Sequence, residues 1–257
     1  MANCTNCGAA LTGKFCSNCG QKKFSPHDLT ISKFILNFFE DFFKFDSNVF
    51  RTIRYLLFRP GFLSIEYIKG RIASYVKPLK LFVFTCVIVL FLGPLIAKHD
   101  YSFALDDLDF MQNKIEEVSV KKNISKDIFI EKFNSTYISK MPFFYLIAII
   151  AFTLLLGLIF IRQKRVFAEH LVFSLHFYTT CLIFYLVESF FSKFTDISFF
   201  LIAIVIPYIY LIISLRNFYT KNLLPLILSS AVIYGVYFLI QAYWLILTAN
   251  FTASFFL

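Results

Sequence analysis

Five stretches of this chain are long and apolar: Leu79–Ala97, Phe143–Ile161, Leu171–Phe191, Ser198–Leu215 and Leu223–Leu247. About 20 such residues carry a helix through a hydrocarbon core ~30 Å thick. Backbone polar groups find no water there, so runs of this length must bond internally as helices. The expected fold is all-α, a polytopic membrane helix bundle of about five spans. Composition supports this reading: 58% of residues are hydrophobic and 16% charged, against about 45–50% and 25% in soluble domains.

The third stretch differs from the others. Glu169 to Phe191 carries Glu169, His170, His176 and Glu188, and no other expected span holds an acid or a histidine. Ionisable groups inside hydrocarbon are costly and face a bundle interior or a cavity. At 100° per residue, Glu169 and His176 share a helix face to within about 20°. They form, with His170, a candidate intramembrane polar site. The simplest role places Glu169, His170 and Glu188 at head-group level, with His176 bonded to a polar group of another span. Gln241, Tyr234, Tyr237, Tyr208 and Tyr210 are the candidate partners. A proton or ion relay is a second role. An embedded metal or hydrolytic site is a third, disfavoured because Glu169 and His176 lie about 10 Å apart along the axis.

The N-terminus has a different chemistry. MANCTNCGAALTGKFCSNCGQ holds Cys4, Cys7, Cys16 and Cys19 in two Cys-x-x-Cys-Gly knuckles. Four thiolates at that spacing suit a tetrahedral Zn²⁺. So short a segment has no core of its own, so the metal must supply its folding energy. Paired disulfides and a rubredoxin-like iron are the alternatives, and a structural zinc ribbon over residues 1–22 is the expectation. Cys86 and Cys181 lie in apolar runs and read as packing residues. No internal repeat stands out, and the N-terminus lacks the apolar segment of a signal peptide.

Residues 25–78 read as cytosolic or interfacial amphipathic helices. Ile31, Phe34, Ile35, Phe38, Phe39 and Phe42 keep a helical rhythm, which suits a helix lying in the interface or docked on the bundle. His27 just before it reads as solvated. A second helix over about 48–58 places Val49, Phe50, Ile53, Leu56 and Leu57 on one side, and Arg59-Pro60-Gly61 breaks it. Ser47 to Lys80 contains seven basic residues against Glu66 alone. This basic collar is a candidate site for anionic head groups, with Arg59, Lys69, Arg71 and Lys77 as ligands. The plainer alternative is a topology determinant without a ligand. The net charge of +9 is accounted for by positive-inside bias, so no nucleic acid is expected.

The membrane domain then covers 79–257. Its loop 98–140, expected on the outer side, holds seven Lys and eight acids, with an amphipathic helix near Ile124–Tyr137. Arg162, Lys164, Arg165, Arg216 and Lys221 mark the two inner turns. Five spans then run with the N-terminus in the cytosol and the C-terminus outside. A reducing cytosol would also keep the four thiols free for metal.

Three pieces together, CTNCG…FCSNCGQ, RPGFLSIEYIKGRIASYVKPLKLF and EHLVFSLHFY, resemble the bacterial membrane proteins catalogued as domain of unknown function 3667. The resemblance implies the cytoplasmic membrane of a bacterium and brings no established activity. The chain departs from the family where Gly70-Arg71-Ile72 replaces Gly-Lys-Arg, and where Tyr178 replaces a further histidine. The second departure counts against a metal held by the third span.

No P-loop, His-Glu-x-x-His or Gly-x-Ser-x-Gly occurs, so no catalytic residue is assigned. The reading that fits best is a zinc-ribbon membrane adaptor or scaffold holding a cytosolic protein partner or anionic lipid. A small transporter or permease-like subunit using His176 is the alternative, followed by a membrane-embedded enzyme acting on lipid. The sequence does not fix an oligomeric state.

Overall fold

The computed structural model describes residues 3–23, 30, 48–96, 109–192, 204–220 and 222–256. Among the described residues eight helices follow the ribbon: α1 (Val49–Phe58), α2 (Phe62–Ile68), α3 (Pro78–Ile96), α4 (Asp109–Lys122), α5 (Lys126–Ile159), α6 (Phe167–Ser192), α7 (Ile206–Phe218) and α8 (Leu223–Phe256). A short 3₁₀ turn, Ile161–Gln163, links α5 to α6. The described residues outside the ribbon are helix, turn and loop. The expected interfacial helix at 31–42, with His27, lies outside the described residues.

α6 is the central helix. Every residue from Val172 to Thr180 is buried, because α3, α5, α7 and the α1–α2 segment all pack against it. Its hydroxyls are held locally: Ser174 donates to His170 O, Thr179 to Leu175 O and Thr180 to His176 O. Thr153 of α5 donates to Ser174 Oγ at 2.9 Å. The core around it is aromatic and aliphatic, with Phe152 stacked on Phe177 and Phe144 stacked on Trp244.

Among the described residues three helices, α5, α6 and α8, are long and apolar enough to cross a membrane; α3 offers a shorter apolar stretch, Pro78–Gly93. α7 has 13 residues, about 20 Å, which is short of a ~30 Å core. Residues 198–203 of the expected fourth span lie outside the described residues.

Two expectations change. The expected outer loop is largely helical: α4 occupies Asp109–Lys122, and α5 runs unbroken from Lys126 through Pro142 to Ile159. Ser125 caps α5, its Oγ accepting from Ile128 N. The expected fifth span likewise continues to Phe256. The cause is packing. Ile115 and Val118 of α4, Phe129 and Phe133 of α5, and Ala249 and Ala253 of α8 form a second core beyond the first, and that core keeps both long helices going.

α1 and α2 are pressed against the bundle. Leu56, Leu63, Val76 and Leu81 form a third core, with Ile183 of α6 packed on it. The break between α1 and α2 is a sharp turn at Gly61, whose φ is +79°. A Cβ there would meet Ser214 O of α7 at 3.0 Å, so the position suits only glycine. One helix face was misassigned in the sequence reading. Phe50 was placed with Leu56, yet Leu56 is buried and Phe50 is 87% exposed.

Candidate functional site

The four cysteines gather as their spacing requires. Their sulfurs all lie within 4.8 Å of one another, with Cys4 Sγ 3.6 Å from Cys19 Sγ and Cys7 Sγ 3.6 Å from Cys16 Sγ. The two knuckles are copies twelve residues apart. Cys4 N donates to Ala9 O and Gly8 N to Cys4 O; Cys16 N donates to Gln21 O and Gly20 N to Cys16 O. Gly8 and Gly20 both take positive φ, +78° and +69°, which closes each turn without strain. The ribbon is thus an internal repeat that the sequence reading did not single out.

Backbone N–H groups aimed at sulfur favour thiolate. The Ala9 N–H is the largest influence lowering Cys7, which falls to about 6. The Cys7 N–H is the largest influence lowering Cys4. Cys19 accepts from the Gln21 N–H, yet burial and the neighbouring sulfurs of Cys7 and Cys4 push it up to about 11. Sulfurs this close cannot all ionise on their own. The cluster could hold a metal ion, and four thiolates around a cation would relieve that crowding.

One side chain ties the ribbon to the rest of the chain. Gln21 is 4% exposed. Its Nε2 donates to Gly70 O at 2.6 Å and to Thr5 Oγ1 at 2.8 Å. Its Oε1 accepts from Ile72 N and Ala73 N at 3.2 and 3.1 Å. Thr5 Oγ1 also donates to Gly70 O, and Ser74 Oγ to Asn6 Oδ1. The ribbon therefore sits on the turn between α2 and α3 through a glutamine saturated by hydrogen bonds. Sequence reasoning passed over Gln21. The signal was available in the repeat, where the first knuckle has Ala9 and the second has Gln21.

Beneath that turn lies His176. Its Nδ1 is 2.8 Å from Ser64 Oγ of α2, both residues buried. The expected partners on α7 and α8 do not meet it; one of them, Tyr210, donates instead to Leu56 O. A small cavity beside His176 is lined by Leu63, Tyr67, Arg71, Ile72, Tyr75 and Val76. The collar and the intramembrane histidine, which the sequence reading treated apart, are one place. Ser64 carried no warning signal, because a single serine in an amphipathic heptapeptide is unremarkable until its partner is known.

The other candidate residues divide. Arg71 pairs with buried Glu66 at 3.1 Å and lines the His176 cavity. Arg59 is exposed, its guanidinium 5.0 Å from the Tyr55 ring centroid and 5.6 Å from that of Phe62. Lys69 is exposed and Lys77 half-buried. Glu169 pairs with Arg165 at 3.6 Å and accepts from Val166 N, closing the start of α6. His170 is buried within the protein. Its Nδ1 is 2.7 Å from Tyr219 OH, with the two rings stacked. Arg165 donates to Phe218 O and lies 4.4 Å from the Phe218 ring centroid. This second cluster clamps the end of α7 to the start of α6.

A family model described as "Protein of unknown function (DUF3667)" matches residues 46–90. That segment holds α1, α2, the turn that receives Gln21, and most of α3, and the match supports the resemblance drawn from the sequence. No curated protein and no solved structure matches the chain.

Proposed function

We propose that this chain, carrying the collar of the DUF3667 family, is a zinc-ribbon membrane scaffold. A structural zinc held by Cys4, Cys7, Cys16 and Cys19 folds the ribbon. The ribbon and collar together hold a cytosolic protein partner or anionic lipid on a bundle of about five spans in the cytoplasmic membrane of a bacterium. The observation that carries this reading is the Gln21 latch. A ribbon meant as a free tether would not bury a glutamine on the membrane-proximal turn, with both ends of its amide bonded. Zinc is supported by sulfur separations of 3.6 Å, close to the ~3.8 Å that a tetrahedron with ~2.3 Å bonds requires.

The test uses full-length wild type, Cys4→Ser and Gln21→Leu purified from native membranes. Metal analysis should find about one zinc per chain in wild type and Gln21→Leu, and none in Cys4→Ser. Trypsin should cut after Lys23 faster in both variants, and co-purifying protein or acidic lipid should fall in both. A zinc-free wild type with a protected ribbon ends the metal assignment. Identical co-purifying material in all three ends the scaffold reading.

A second reading, an enzyme acting on lipid, is favoured by one observation, the buried Ser64–His176 hydrogen bond. A hydroxyl hydrogen-bonded to an imidazole is the pairing that activates a nucleophile. Ser64→Ala should then abolish turnover of membrane lipid while leaving zinc content unchanged. A lipid profile identical in cells expressing wild type and Ser64→Ala removes this reading.

A further inference from the structure

α1 presents two opposed faces. At 100° per residue, Thr52 and Leu56 lie on one side, while Phe50, Arg54, Phe58 and Arg51 fall within an arc of about 100° on the other. Thr52 and Leu56 are buried; Phe50 is 87% and Phe58 79% exposed. Arg51 and Arg54 between them are exposed, as is Arg59 at the helix end. No acid occurs in α1. The nearest carboxylate in the following helix, Glu66, is taken by Arg71. Among the described residues, two large exposed aromatic side chains thus stand in a stripe whose only charges are guanidinium groups.

The stripe lies beside the apolar helices and not beyond their ends. Tyr210, within α7, donates to Leu56 O. Ser64 of the next helix meets His176, nine residues into α6 and so about 14 Å along its axis. A face with phenyl rings set between cations, beside apolar helices, matches the chemistry of the boundary where acyl chains meet head groups. Rings enter the acyl region there while cations reach phosphate, the pattern of helices that lie in the interface.

We propose that the outer stripe of α1 is a docking surface for anionic phospholipid, with Phe50 and Phe58 in the acyl layer and Arg51, Arg54 and Arg59 on the head-group phosphates. This deepens the lipid half of the function proposed above and rests on its placement of the chain in a membrane. Within the basic collar read from sequence it selects Arg51 and Arg54 as head-group contacts, and it adds Phe50 and Phe58. The lipid is recognised by charge and by depth together, so neither a neutral bilayer nor a soluble anion substitutes for it.

The experiment places an indole on the stripe. Full-length Phe50→Trp and Phe58→Trp are reconstituted in phosphatidylcholine vesicles with either brominated phosphatidylglycerol or brominated phosphatidylcholine at one mole fraction. Wild type supplies the baseline, because its one tryptophan, Trp244, is buried. Brominated chains should quench the added indole above that baseline in both variants. The glycerol lipid should quench more strongly, up to about fivefold in local enrichment for each cation engaged. Adding Arg51→Gln, Arg54→Gln and Arg59→Gln, or raising salt, should abolish the difference and leave the quenching. Quenching at baseline in both variants means that water, another part of the chain or a protein covers the stripe, and it overturns the proposal. Equal quenching by the two lipids overturns the anionic preference. Zinc content and ribbon protection should match wild type throughout, so failure here leaves the ribbon reading standing.

Discussion

Ser64 and His176 are the pair on which the junction between collar and bundle depends. Removing one partner of a buried hydrogen bond strands the other, at about 1–3 kcal/mol. Replacing both by apolar groups is close to neutral. His176→Leu should therefore destabilise the purified protein by about that amount, and Ser64→Ala should restore much of the loss. The thermal midpoints of the two single variants and the double variant form the cycle that measures it. Additive losses would show that the hydrogen bond carries no coupling. The histidine was legible in the sequence because it stood alone in an apolar run. Its partner was not, since 112 residues separate them and a search limited to spans excluded α2.

At the scale of elements, the turn at Gly61 decides how closely α2 approaches α7. Gly61→Ala must place a Cβ at positive φ and 3.0 Å from a backbone oxygen. It should cost at least ~1–2 kcal/mol and loosen the Pro60–Asn217 contact, where Asn217 Nδ2 donates to Pro60 O at 2.9 Å. Gly235→Ala is the control. Gly235 lies within α8 with open space around it, so the change should be neutral or stabilise by up to ~1 kcal/mol. Melting of both proteins in one detergent decides the point, and equal midpoints would dismiss the turn. Helix periodicity located α1 to within a residue or so but could not say which side faces inward. Val49, Phe50, Ile53, Leu56, Leu57 and Phe58 leave apolar residues on more than one arc, and only the packing of α2 and α6 chooses between them.

For the whole molecule, the basic turns around Arg162–Arg165 and Arg216 share one end of the bundle, where Arg165 donates to Phe218 O and Gln163 to Tyr219 O. The α4 core with the far parts of α5 and α8 occupies the other end. α5 and α8 each have 34 residues, about 51 Å of helix, so some 20 Å of each exceeds a ~30 Å core. Reporter fusions after Lys23, within 109–122 and at Leu257 should read inside, outside and outside, by the positive-inside rule. An inside signal at Leu257 would show an even number of crossings. The apolar runs made the spans legible. The helix near Ile124–Tyr137 was legible too, but α4 and the unbroken run of α5 were not, because residues 109–123 are polar enough to read as loop until α8 is known to continue beside them.

The Gln21 latch and the contacts of α7 with α1 and the Gly61 turn close over different stretches of chain, and this has a consequence for synthesis. Gln21 meets Gly70 across 49 residues, so ribbon and turn can join as soon as the collar leaves the ribosome. Leu56 and Pro60 wait 154 and 157 residues for Tyr210 and Asn217, and contacts of such separation form late. A growing chain should therefore pass through a stage with its metal module finished and α1 and the Gly61 turn not yet held by α7. A chain truncated before Ile206 should hold zinc like the full protein yet be cut faster by trypsin at Arg54, because Leu56 O has lost its Tyr210 partner. Equal protection in both chains would mean that α1 is seated without α7.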